Sequence, residues 1–280
     1  MKQAIEKFFH RMAKLFILIL PESDFKRRKL SWLETRWKFQ RSGYSLELSG
    51  REITVRGDDG LVISGDCANV IWSACGVLCH REYDFTGGGN YIMFDIGLNI
   101  AITSLFFAGK PEIVHIYGFE PFIPTYIQAV KNIAANPERS SKITAFDYGL
   151  GRCSKSIAVH YNKELSGSMS TVKDLFPSRN NAVEKVMIKD ASEVLGGLLK
   201  LHPQEKRFLK IDCEGAEIEI LENLEASGIL TKEIDLIIME WHWGNYCEVS
   251  DLLKRNGFIV VCRHDIPRIQ GVITAYSTRR

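Results

Sequence analysis

Leu209-Lys210-Ile211-Asp212-Cys213-Glu214-Gly215-Ala216-Glu217 is the stretch that decides the fold of this chain. A short apolar run ends on an acid, and a second acid, a glycine and a third acid follow at once. Ile218, Ile220, Leu221 and Leu224 then continue at helical spacing. This pattern reads as a strand, a tight turn and a helix. In open α/β sheets, ligands bind beyond the carboxyl ends of the strands. Asp212 and Glu214 therefore fall where chemistry is done. Acids at a helix start also cap free N–H groups and favour the positive end of the helix dipole, and the segment alone does not separate the two roles.

Outward from this stretch the same punctuation recurs. Apolar strands over residues 91–94, 114–119, 143–146, 208–211 and 234–239 run into Asp95, Glu120, Asp147, Asp212 and Glu240. Helical spacing covers 100–108, closed by Gly109 and Pro111, and also 124–135 and 249–254. Two late strands, 258–261 and 272–276, face each other across a turn holding Pro267 and Gly271. Alternation of this kind argues for a doubly wound sheet with helices on both faces, closed by an antiparallel pair. Capping alone does not account for five carboxylates on one ligand edge.

The 280 residues suffice for one large α/β domain with an appendage. Hydrophobic residues at 45% and charged residues at 25% are ordinary for a globular chain, and a net charge of +2 gives no strong pull toward nucleic acid. The seven cysteines are scattered, without the paired spacing of a zinc site, and fit a reducing, cytoplasmic compartment. Residues 1–43 read as a basic amphipathic helical segment, with Ile5, Phe8, Phe9, Met12, Leu15, Phe16 and Ile19 on one stripe. The apolar run there stops at Pro21, far short of a bilayer span. Such a segment docks on its own domain, on a second subunit in a homo-oligomer, or peripherally on an anionic membrane. Residues 44–86 read as a small β-containing appendage with a hairpin around Ser49-Gly50 and further strand over 62–72; residues 87–280 form the main domain.

Within that domain, Asp95-Ile96-Gly97-Leu98-Asn99 is a strand-to-helix turn in which Gly97 permits close approach of a ligand to the backbone. It lacks the third glycine of a pyrophosphate cradle. Glu120, at the end of the next strand, stands where a carboxylate accepts from both ribose hydroxyls of a nucleotide. Asp147-Tyr148 would lie beside the base, where a carboxylate meets an exocyclic amine and a ring stacks. Glu240-Trp241-His242-Trp243 puts an imidazole next to a carboxylate, a pairing suited to general-base work.

These residues resemble the FkbM-type family of S-adenosylmethionine-dependent methyltransferases over about residues 80–276. The carriers are Glu82-Tyr83, Phe94 to Ile100, Phe119-Glu120-Pro121, Leu150-Gly151, Ser166-Gly167-Ser168, Lys210 to Glu217 and Glu240-Trp241-His242. The resemblance implies a seven-stranded class I methyltransferase (Rossmann-like) fold and O-methylation of a hydroxylated acceptor, a sugar, polysaccharide or natural product. Asp95, Gly97 and Asn99 would hold the methionine part of the cofactor, Glu120 the ribose, and Asp147 and Tyr148 the adenine. His242 is then the first candidate base and Asp212 the second, with Glu214 and Glu240 orienting acceptor or base. Asp212 with another carboxylate is also a place for a divalent metal. The chain departs from the family at Ala101, where glycine is usual, and at Arg152, where an acid is usual. Two other readings remain at this point: a nucleotide-dependent oxidoreductase, and a non-catalytic methyltransferase-like binding module.

Overall fold

A computed structural model describes residues 10–15, 17, 24–85, 87–161, 182–242, 244–266 and 270–279. Much of the N-terminal stripe, the Ser166–Ser170 segment and Trp243 lie outside the described residues. The chain divides into two compact units, Met1–Arg81 and Glu82–Arg280. No helix among the described residues is long and apolar enough to cross a membrane.

In the first unit, a helix over Asp24–Arg41 precedes an antiparallel sheet of β1 (Tyr44–Ser49), β2 (Glu52–Gly57) and β3 (Val62–Asp66), ordered β1-β2-β3. Leu46, Ile53 and Val55 are buried as their alternation requires, while Leu48, near the hairpin tip, is exposed. The strand pattern over 62–72 holds only to Asp66. From Cys67 to Ala74 the chain is helical, because Val70 and Ala74, four apart, are the buried pair and Trp72 faces solvent.

The second unit is built on a seven-stranded sheet. Its strands are β4 (Tyr91–Ile96), β5 (Ile113–Phe119), β6 (Ile143–Phe146), β10 (Lys206–Ile211), β11 (Leu236–Trp241), β12 (Phe258–Ile266) and β13 (Gln270–Ser277). They are ordered β12-β13-β11-β10-β4-β5-β6. The first five pair in parallel; β13 runs antiparallel to β11 and β12 antiparallel to β13. This is the class I methyltransferase arrangement, a Rossmann-like sheet. From β4 the chain winds outward through β5 to β6, then returns to lay β10 on the other side of β4. The crevice between β4 and β10 is thus the switch point at which such sheets bind ligands.

Strand period two sorts the core. Ile92, Phe94, Ile96, Leu209, Ile211, Ile237 and Met239 pack with Leu195, Ile220, Leu221, Leu224 and Leu252 from helices on one face. On the other face, Phe208 meets Phe107 and Phe85. A second sheet, absent from the sequence reading, pairs β7 (Gly149–Gly151) with β9 (Ala182–Asp190), and β9 with β8 (Lys155–Tyr161). Val159, Val186 and Ile188 of this sheet close on Phe122 in a small core of their own.

Candidate active site

Register places the first pair of polar residues. Asp95 and Lys210 are direct partners on β4 and β10, on the same face of the sheet. Both are buried. The Lys210 Nζ lies 3.2 Å from Asp95 Oδ1 and 3.5 Å from Asp212 Oδ2, and donates to the Gly97 carbonyl at 3.0 Å. Ser104 Oγ donates to Asp95 Oδ2 at 2.6 Å. Burial alone would lower the Lys210 ammonium, but Asp95, Asp212 and Glu240 outweigh it and hold it above the ordinary lysine range. Burial likewise raises the Asp95 carboxyl against the pull of Lys210. This pair ties two strands and two loops together; Asp95 does not line the adjoining cleft.

Above the pair, the turn after β4 is sharply wound. Gly97, Asn99 and Ala101 all take positive φ, at 86°, 51° and 69°. Glu120 is buried at the foot of this turn. Its two carboxylate oxygens accept from the N–H groups of Asn99 and Phe122, at 2.9 and 3.0 Å. Burial pushes its carboxyl up to about 7, although those N–H groups oppose the shift. Gly97, Asn99 and Glu120 line a cleft enclosing about 580 Å³ of empty space, part of it open to solvent. Ile96, Phe122, Leu150 and Ile188 supply its apolar walls, and Asp212 and Glu214 its far side.

Beyond Asp212, four acids surround one imidazole. His242 Nδ1 lies 2.8 Å from Glu217 Oε1; since a carboxylate only accepts, Nδ1 carries the hydrogen. His242 Nε2 faces Glu214 Oε2 at 3.6 Å, Glu240 Oε2 at 3.7 Å and Asp212 Oδ1 at 4.0 Å. Tyr83 donates to Glu240 Oε1 and approaches Asp212 Oδ2 at 3.4 Å. Burial would lower the His242 imidazolium, yet the Glu217 hydrogen bond with Asp212 and Glu214 drives it up to about 10. Burial, with Asp212 and Glu217 adding and His242 opposing, raises Glu214 to about 7; burial and Asp212 raise Glu240 to about 8.

The structure thus brings Asp212, Glu214, Glu240 and His242 into one group and sets Gly97, Asn99 and Glu120 along the neighbouring cleft. Asp147 and Tyr148 stand apart. Asp147 is exposed, and the Tyr148 ring packs with Phe119 and Phe146 beneath the Lys189 ammonium; neither lines the cleft. Arg152 pairs with Glu222 on the surface. Sequence reasoning gave no part to Lys210, Glu217 or Tyr83. A lysine inside an otherwise apolar strand was a signal for the first. Tyr83 stood only among the carriers of the resemblance, with no contact legible, since it lies 129 and 157 residues from its partners.

The Methyltransferase FkbM domain model matches residues 95–260, from the first strand-end acid to β12. The chain belongs to the FkbM methyltransferase family. That membership takes the methyltransferase reading over the oxidoreductase one. Methyltransferase sdnD of Sordaria araneosa is 26% identical over 197 residues, covering 60% of this chain and 74% of that protein. Methyltransferase 1 of Beauveria bassiana is 26% identical over 183 residues, covering 59% and 71%. Among solved structures, the methyltransferase FkbM of Methylobacillus flagellatus KT is similar, with 13% identity and a TM-score of 0.48. That match covers 88% of this FkbM-family chain but 60% of the other.

Proposed function

We propose that this FkbM-family methyltransferase transfers a methyl group from S-adenosylmethionine to a hydroxyl oxygen of a small, hydroxylated acceptor such as a sugar or a natural product. One observation carries the reading: a cleft at the β4–β10 switch point has a buried carboxylate, Glu120, on one side and the Asp212–Glu214–Glu240–His242 group on the other.

The residues present fit such a cofactor. Each Glu120 oxygen accepts one backbone N–H and keeps a lone pair for a ribose hydroxyl. The wound turn at Gly97 and Asn99 offers backbone to the amino-acid part, and Leu150, Ile188 and Phe122 give apolar walls to a base. Asp147 and Tyr148 would meet the adenine only from the rim, since neither lines the cleft.

S-adenosylmethionine bound there supplies a methyl already activated by its sulfonium, so the protein's task is alignment and proton removal. Asp212 and Glu214, on the cleft's far side, orient the acceptor hydroxyl. Its proton passes to the Asp212–Glu214–Glu240–His242 group, which titrates as a unit rather than as four separate sites. Glu217 fixes the ring plane of His242 throughout.

Isothermal titration calorimetry with S-adenosylmethionine and S-adenosylhomocysteine tests the reading. Binding of either with a Kd below about 100 μM, weakened at least tenfold by Glu120→Ala, is the expected result, since a hydroxyl pair on a charged acceptor is worth about 1.5–3 kcal/mol per bond. No heat from either ligand at high micromolar concentration refutes it.

A further inference from the structure

We propose that Asp212, Glu240 and His242 form a binding site for one hard divalent cation, Mg²⁺ or Mn²⁺. Their free ligand atoms lie within 4.8 Å of one another. What distinguishes them from a chance cluster of acids is how their other atoms are used. Asp212 Oδ2 is held by Lys210, Glu240 Oε1 by Tyr83, and His242 Nδ1 by Glu217. Among the described residues, no hydrogen bond reaches the remaining three: Asp212 Oδ1, Glu240 Oε2 and His242 Nε2. Each residue thus commits one polar atom to the protein and turns the other toward a shared point.

The buried member is the independent sign of a ligand. His242 is only 6% exposed, yet its Nε2 has no hydrogen-bond partner, with the three nearest carboxylate oxygens at 3.6, 3.7 and 4.0 Å. Ligand atoms about 2.1 Å from a common ion stand about 3 Å apart when adjacent and about 4 Å apart when opposite. His242 Nε2 stands 3.7 Å from Glu240 Oε2 and 4.0 Å from Asp212 Oδ1, inside that window. Glu217 supplies the carboxylate–histidine support that metal-bound imidazoles receive, fixing the hydrogen on Nδ1 and leaving the Nε2 lone pair outward. Two carboxylates and one imidazole without a thiolate suit a hard, oxygen-seeking ion. Asp212 and Glu240 retain 28% and 24% side-chain exposure, so one side stays open for water or an acceptor oxygen. The part this ion plays in methyl transfer rests on the reading above; its binding does not.

The test is a titration of the full-length, chelator-stripped protein with Mn²⁺, followed by the electron paramagnetic resonance of the free ion. One Mn²⁺ per chain with a Kd near or below about 100 μM, displaced by Mg²⁺, is expected. Spin-echo spectra of the bound ion should show a single nitrogen coupling. Glu240→Gln and His242→Gln should weaken binding at least tenfold, and Glu217→Gln about 10–100-fold. Glu222→Gln, a surface acid paired with Arg152, should change nothing. Absence of stoichiometric binding by the unaltered protein, or a bound ion with no nitrogen coupling, overturns the site whether or not a variant folds. Calorimetry with S-adenosylhomocysteine in chelator, on the same preparation, separates the two claims. Cofactor binding without Mn²⁺ binding removes the metal site and leaves the methyl-transfer reading. Mn²⁺ binding without cofactor binding does the reverse.

Discussion

Gly97→Ala tests whether the two central loops are locked together by close backbone contact. A Cβ built on Gly97 would lie 2.8 Å from the Asp212 carbonyl carbon, closer still to its oxygen, and 3.5 Å from Cys213 N. The contact is backbone on backbone, so no side chain can swing away. The residue also sits at φ 86°, where a side chain costs about 1–2 kcal/mol. Relief requires the β4 and β10 loops to separate. That stretches the Asp212 N–H to Ile96 carbonyl bond, now 2.9 Å, and the Lys210 bond to the Gly97 carbonyl. Each buried bond is worth about 1 kcal/mol net, and overpacking adds about 1–3 kcal/mol. The variant should therefore lose about 4–7 kcal/mol, a large part of a typical domain's stability. For a unit of this size that is about 8–28 °C in Tm. Differential scanning calorimetry with and without S-adenosylhomocysteine measures both the loss and any failure of the ligand to restore it. A Tm within 2 °C of the parent, with unchanged affinity, would show that the loops are not in contact as described.

Ala101→Gly should behave oppositely to an ordinary Ala→Gly exchange. Ala101 is fully buried at φ 69°, so relief of about 1–2 kcal/mol offsets the lost methyl contact and the extra freedom of the unfolded chain. An unfolding free energy from urea titration within about 1 kcal/mol of the parent is expected, and a loss above about 2 kcal/mol would contradict the strain. Lys210→Met leaves Asp95 buried with only Ser104 beside it, so about 3–5 kcal/mol should be lost and much of it regained in Lys210→Met/Asp95→Asn. A single variant as stable as the parent would show that the pair holds nothing. Glu120 gives the pH dependence. Its folded carboxyl, at about 7, lies above the unfolded value of 4.5, so the folded state keeps a proton the unfolded state has released. Its contribution is complete below about pH 4.5 and is lost as pH rises through 7. Ribose hydroxyls favour the ionised form, so S-adenosylhomocysteine binding at pH 6.5 should release a fraction of a proton, read from calorimetry in buffers of different ionisation enthalpy. Proton uptake, or no exchange, would argue against Glu120 as the ribose acceptor.

Much of the main sheet was legible because its strands are buried on both sides and bounded by acids and turns. Residues 91–94, 114–119, 143–146, 208–211 and 234–239 all lie in or overlap the observed β4, β5, β6, β10 and β11. The late antiparallel pair was legible too, though each strand is longer than its apolar stretch. The β7-β9-β8 sheet was missed, although Val186 and Ile188 alternate with Lys185 and Met187, and Asp190 caps the next helix by accepting from the Glu193 N–H. Its partner strand β8 follows a weak pattern, so neither strand looked paired. At the site, residues at strand ends could be placed one by one. What they would touch could not. Nothing in the spacing of Glu217 and His242, or of Tyr83 and Glu240, says that these pairs meet, because each meeting is set by how the sheet orders its strands.

The most recognisable string, Lys210 to Glu217, divides by direction rather than by rank of importance. Lys210 points into the sheet, to Asp95 and the Gly97 carbonyl. Asp212 and Glu214 turn toward the cleft and His242. Glu217, fully buried, turns back through the first helical turn to accept from the Gly215 N–H and hold His242. Glu214 reaches its place only through a left-handed backbone at φ 53°, and Gly215 follows at φ 113°, so the chain reverses within two residues. That reversal lets one short segment serve both purposes. Lys210 and Glu217 do not reach the cleft, so their removal should appear first as lost stability or a misplaced imidazole. Asp212 and Glu214 line it, so their amide variants should fold and fail at ligand binding or turnover. A variant at Lys210 that folds with parental stability yet loses only turnover would break this division, because a side chain 2% exposed has no route to a substrate except through the residues it positions.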